Sequence, residues 1–288
     1  MINAMNKVAI AGAGIMGCDV ALNLSCYGYE VILKDLDTQV LDQARQRIRS
    51  GLRMAQMMKP SFKSFTIDDI LGKIQLVTDY SQFGKADIII ENVTEEWTVK
   101  QQVWLELKDY CREETLCCVN TSCISITRIA SLLTYPANVI GMHFMNPVPL
   151  KEVVEVVKGY HTSPGTIDRA REFLQSLRKM AVIVNDLPGF VANRLSHLFM
   201  NEAAFLIQDQ VASAGEVDII FKKGYGHAMG PLETADLIGL DTVVHSLGVL
   251  YENYQDPKFR CCPLLRKMVD AGLLGQKSGE GFYKYDKV

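Results

Sequence analysis

The stretch "KVAIAGAGIMGCDVALNLS", residues 7–25, constrains this chain more than any other. A strand-like apolar run ends at Gly12, Gly14 and Gly17, and a helical pattern carrying Val20, Leu22 and Leu24 follows. Small residues cluster wherever a helix packs on a sheet, so GxGxxG alone says little. Here the next strand-like run, "YEVILKD", ends in Asp35, about 20 residues beyond the glycines, and that combination is specific. Gly12 permits the tight turn, and Gly14 lets a pyrophosphate approach backbone N–H groups in the first helical turn, where Ile15 and Met16 stand. Gly17 allows close helix–sheet packing. Asp35 would accept hydrogen bonds from an adenine ribose and repel a 2′-phosphate, so NAD is expected rather than NADP.

Beyond this unit, "KIQLV", "ADIIIE", "TLCCVN", "NVIGMHF", "VVEVVKG" and "MAVIVND" read as strands. Helical patterns separate several of them, including a long one from Thr38 to Met58 that "KPSF" breaks. Strands alternating with helices predict an α/β, Rossmann-like, doubly wound parallel sheet. After "LPGF" the pattern becomes helical with glycine-rich joints. The expected division is a dinucleotide-binding domain over 1–187 and an all-α C-terminal domain over 188–288.

Composition narrows the function classes. The 288 residues carry a net charge of −3, which leaves no overall basic field for nucleic acid. No apolar run reaches the roughly 18 residues of a membrane span. The eight cysteines include adjacent pairs but no CxxC, which favours reduced thiols and a cytoplasmic location over metal or disulfides. Asp19 and the glycine spacing argue against reading the N-terminal apolar run as a signal peptide.

Four segments then stand in order behind the glycine loop: "NTSC", "GMHFMNPVP", "EVVEVV" and "DLPGFVANR". With "GYGHAMGPLETADLIGLD" and "KSGEGFYKY", they make the whole chain resemble the 3-hydroxyacyl-CoA dehydrogenase family, including its short bacterial 3-hydroxybutyryl-CoA members. The resemblance implies hydride exchange between NAD and a 3-hydroxyacyl thioester of short chain length. It assigns His143 as general base and acid, a task that suits imidazole's ordinary pKa of about 6.5. It assigns Glu155, rather than nearby Glu152, to hold the other ring nitrogen. Ser122 would hydrogen-bond the reacting substrate oxygen, and Asn193 would support the substrate's polar face across the cleft that the helical domain closes. Alone, Ser122 reads equally well as a turn or N-cap residue, and Asn193 as a helix brace. The resemblance also carries Glu95, Lys100 and Lys277 as cofactor contacts and implies a homodimer, while Asn120 and Asn146 are read as fixing loop backbone near the nicotinamide.

Two departures from the family bear on the substrate. Where the family offers a small polar residue and a lysine to the adenosine end of CoA, this chain has Gly51 and Met58, with Lys59 and Lys63 nearby. Arg45, Arg49 and Arg53 form one stripe on the same helix. A solvated face is the default reading of that stripe. The sharper one is a docking face for an acyl carrier protein that delivers the thioester without CoA. Cys123 stands where the family more often has a second serine. A covalent hydrolase or acyltransferase using Ser122 or Cys123 is disfavoured, because no GxSxG elbow is present and the glycine loop would have no role. A catalytically idle NAD-binding protein is disfavoured by Ser122, His143, Glu155 and Asn193 occurring together.

Overall fold

Gly12 adopts φ +102° in the turn between β1 (Lys7–Ala11) and α1 (Ile15–Cys26) of a computed structural model that describes residues 5–286. A Cβ at Gly12 would lie 2.7 Å from the carbonyl oxygen of Asn92, and one at Gly17 would collide with the Gly12 carbonyl. The first and third glycines are therefore required by close backbone approach.

The chain divides between Leu187 and Pro188 into two units. In the first, β2 (Glu30–Lys34), α2 (Thr38–Met58), α3 (Ile67–Leu71) and β3 (Ile74–Val77) follow α1. Next come β4 (Ile88–Glu91), α4 (Trp97–Leu107), β5 (Leu116–Val119), α5 (Ile126–Ala130) and β6 (Val139–His143). The unit ends with β7 (Val153–Lys158), α6 (Pro164–Ser176) and β8 (Met180–Asn185). The eight strands form one sheet in the order β3-β2-β1-β4-β5-β6-β7-β8. β4 and β5 are buried along their whole length, as strands in a sheet covered on both faces should be, with Glu91 at the end of β4 the one charged residue between them.

One pairing departs from the parallel arrangement expected: β7 runs antiparallel to β6. Only the nine residues from Phe144 to Glu152 join them, too few for the crossover of a dozen or more that a parallel pair needs. The reversal sets His143 directly opposite Glu155 across the ladder.

α2 buries Leu41, Ala44, Ile48, Leu52 and Ala55, spaced three and four apart. Its N-terminus is capped by the Asp37 side chain, which accepts from the Gln39 N–H at 2.7 Å. Pro60 stops it, because the residue before a proline is driven out of helical geometry. Arg45 and Arg53 lie on its exposed side and Arg45 pairs with Asp42, as on an ordinary solvated face.

The second unit holds α7 (Ala192–Gln208), α8 (Ala214–Ile219), α9 (Pro231–Ile238), α10 (Leu240–Tyr254) and α11 (Pro263–Asp270). Met200, Ala204, Leu240, Val243, Leu247 and Leu265 form one of its cores. Asp236 pins the last segment by accepting from Phe282 N, Tyr283 N and the Tyr285 hydroxyl, each at 3.0 Å. The "GEGFYKY" ending thereby acquires a packing role. Among the described residues no helix is long and apolar enough to cross a membrane, and no cluster of ligands could hold a metal ion.

Candidate active site

The strand order reverses at β1, whose neighbours are β2 and β4, and a cleft of about 430 Å³ opens there at the carboxyl ends of the strands. Gly12, Gly14, Asp35, Asn92, Val93 and Thr94 are among its walls. Nothing stands within 4 Å of where a Cβ on Gly14 would be, so the backbone there is open to a ligand. Asp35 Oδ2 accepts the Ala13 N–H at 2.7 Å, which fixes the carboxylate beside the glycine loop. The Nδ2 of Asn92, in the same wall, has no hydrogen-bond partner in the protein. An open backbone at a helix start, an oriented carboxylate and an orphaned donor together fit a dinucleotide. Ile15 is largely exposed at the start of α1, whereas Met16 packs against the core.

At the carboxyl end of the neighbouring strands lies a hydrogen-bonded triad. Ser122, just past β5, places its Oγ 3.2 Å from His143 Nε2, and His143 Nδ1 lies 2.7 Å from Glu155 Oε2. Glu155 is 4% exposed, whereas Glu152 is on the surface and pairs with Lys59 at 2.9 Å. An ionised carboxylate only accepts, so Glu155 requires the proton on Nδ1 and leaves the Nε2 lone pair facing Ser122.

The loop that carries Ser122 is tied down from below. Glu95 Oε1 accepts the N–H groups of Ser122 and Cys123, both at 2.8 Å, and the Thr121 hydroxyl. Burial raises the Glu95 carboxyl, but Lys100 and these donors outweigh it and hold it below the usual carboxylate range. Asn120 turns its side chain inward, accepting from Phe144 N at 3.2 Å and donating to Asn92 Oδ1 at 2.6 Å.

Lys100, expected as a cofactor contact, is placed differently. Its side chain is completely buried, and Nζ donates to Glu91 at 2.7 Å and to the Asn120 carbonyl at 2.9 Å. It holds the loop from inside. Asn146 is exposed and joined to Pro147 by a cis peptide bond. Asn193 and Lys277 belong to the second unit. Asn193 stands in the first turn of α7, its carbonyl 2.9 Å from His197 Nδ1, and Lys277 pairs with Asp241 at 2.5 Å. Sequence reasoning missed Glu91 and Asn92. Their one visible signal was position, at the end of a buried strand beside the reversal of strand order.

Comparison with known proteins identifies the family. The family model described as 3-hydroxyacyl-CoA dehydrogenase, NAD binding domain, matches residues 7–187, and that described as 3-hydroxyacyl-CoA dehydrogenase, C-terminal domain, matches residues 189–285. The chain is 40% identical to a probable 3-hydroxybutyryl-CoA dehydrogenase of Deinococcus radiodurans, over 97% of this chain and 100% of that protein. It is also 40% identical to the 3-hydroxybutyryl-CoA dehydrogenase of Clostridioides difficile, over 98% of this chain and 100% of the relative. The crystal structure of (S)-3-hydroxybutyryl-CoA dehydrogenase from Ralstonia eutropha superposes with a TM-score of 0.91 at 34% identity, covering 99% of this chain and 100% of that one. Both units are thus accounted for, and the chain belongs to the 3-hydroxyacyl-CoA dehydrogenase family, with its first unit that family's NAD-binding domain.

Proposed function

We propose that this chain interconverts a short-chain 3-hydroxyacyl-CoA and the corresponding 3-ketoacyl-CoA. The observation that carries the reading is the Ser122–His143–Glu155 triad, beside a cleft that fits a dinucleotide. NAD, when bound along Gly12–Gly17 and Asp35, supplies the hydride acceptor or donor. His143 Nε2 takes the hydroxyl proton in oxidation and returns it in reduction. Glu155 keeps the ring in the orientation and tautomer this needs and favours the imidazolium that forms. Ser122 Oγ, already directed at Nε2, offers a second hydrogen bond to the substrate oxygen. No acyl-enzyme is required, so Ser122 and Cys123 are neighbours of the chemistry rather than nucleophiles.

The relatives are named for CoA thioesters, which places free CoA ahead of a carrier protein as the handle. Substrate binding by Asn193, cofactor binding by Lys277, and dimerisation through the second unit rest on the family resemblance. Eight free, buried cysteines support a reducing, cytoplasmic setting. The test is NADH oxidation with acetoacetyl-CoA, run beside the same acyl group on a carrier protein. Turnover with CoA is expected. Absence of turnover with either substrate sinks the reading, and a carrier preference in kcat/KM would revise the handle.

A further inference from the structure

We infer that Glu91 is a positioning residue, which acts through Lys100 to hold the Asn120–Cys123 loop in the shape that brings Ser122 to His143. The inference rests on the proposed role of that pair. Glu91 ends β4 with its side chain wholly buried, and each of its partners is a donor: Lys100 Nζ at 2.7 Å, Val93 N at 2.8 Å and Trp104 Nε1 at 3.2 Å. Burial pushes the Glu91 carboxyl up, while Lys100 and the other two donors oppose it. With no acceptor in place for a carboxyl proton, the geometry is that of an ionised partner of Lys100. The ammonium meets three oxygens: Glu91 at 2.7 Å, the Asn120 carbonyl at 2.9 Å and Glu95 Oε2 at 3.6 Å. Glu95 in turn holds the Ser122 and Cys123 amides.

Four links therefore run from a buried carboxylate to the catalytic pair. Glu91 draws Lys100 inward, away from Glu95, whose side chain is 31% exposed. Without that charge the ammonium would move toward Glu95. The Asn120 carbonyl would lose its donor, and Glu95 would be pulled from the two amides it holds. A buried ion pair is weak evidence for stability, since apolar residues of similar size often serve a fold as well. A role in placing the loop explains why the charges sit beneath it.

The test is Glu91→Gln, which keeps the size and one acceptor but removes the charge. Hydrogen exchange of the peptide spanning 120–124 should quicken at least tenfold, while β5 and the remainder of the sheet stay protected. kcat should fall by about tenfold, no further than in Ser122→Ala, with KM for the acyl thioester and the NADH Kd within threefold of wild type. In a Ser122→Ala background the same substitution should cost less than threefold, because its effect passes through Ser122. Unchanged exchange in 120–124, or an equal loss of kcat in both backgrounds, would overturn the inference. If Glu91→Gln does not fold, the pair Glu91→Gln/Lys100→Met removes both charges together and should show the same loosened loop. Failure of that pair to fold would also overturn it, since the network would then hold the fold rather than the loop. Loss of the proposed reaction itself would show as an inactive wild type, and the exchange measurement would still decide the role of Glu91.

Discussion

At the scale of single residues, His143 is confined from both sides of its ring. Glu155 fixes Nδ1 and Ser122 faces Nε2, so removing any of the three should act on turnover rather than on cofactor binding. His143→Gln removes the proton acceptor, and a positioned general base contributes about 10²–10⁴-fold, so kcat should fall by that order with NADH affinity within about twofold. Ser122→Ala removes one hydrogen bond, worth about 1–1.5 kcal/mol, and should cost roughly tenfold. Steady-state kinetics with parallel fluorescence titration of NADH separates the two. Near-wild-type turnover in His143→Gln would remove it as the base. Much of this site was legible beforehand: His143, Glu155 and Ser122 were all singled out by motif. Glu91 belongs to no such motif, and Lys100 is expected at the cofactor rather than beneath the loop, because a charge on one element gives no sign of a buried partner on another.

Among elements, the strands of the sheet are readable as apolar runs, but that pattern does not carry the direction of β7. Hydrophobic pattern is the same for either direction, and direction is set by the length of the connection, here the segment 144–152. That segment is held by Lys179, which precedes β8 and donates from Nζ to the carbonyls of Val148 at 2.6 Å and Lys151 at 2.7 Å. Burial pushes the Lys179 ammonium down to about 8; Lys59 adds repulsion and Glu152 opposes it. An unfolded lysine titrates near 10.4. Below pH 8 both states hold the proton. Between about pH 8 and about 10.4 the unfolded chain binds a proton that the folded chain has released, so the folded state gains stability as pH rises. Urea unfolding of wild type and Lys179→Met at pH 7.5, 8.5 and 9.5 checks this. The difference should move in favour of wild type across that range, by on the order of 1–3 kcal/mol at its limit. A constant difference would mean that Lys179 stays charged in the folded loop.

On the scale of the whole molecule, a net charge of −3 spread over 288 residues gives no field that could tell NADH from NADPH. Exposed charges are screened beyond about 8 Å at physiological salt, so discrimination has to come from groups in the cleft wall. Asp35 is the carboxylate placed there, fixed by the Ala13 and Leu36 N–H groups at 2.7 and 2.8 Å. A ligand at a hundredfold excess over its Kd adds about 2.7 kcal/mol to the stability of the state it binds. For a domain of about 150–250 residues each kcal/mol moves the melting temperature by about 2–4 °C, so NADH should raise it by roughly 5–11 °C. NADPH at the same concentration should raise it far less, because its 2′-phosphate would face the Asp35 carboxylate. Asp35→Ala should shrink the NADH shift and narrow the gap between the two cofactors. Differential scanning calorimetry of the full chain measures all four cases. Equal shifts for NADH and NADPH in the wild type would take cofactor choice away from Asp35 and require another group in the cleft to make it.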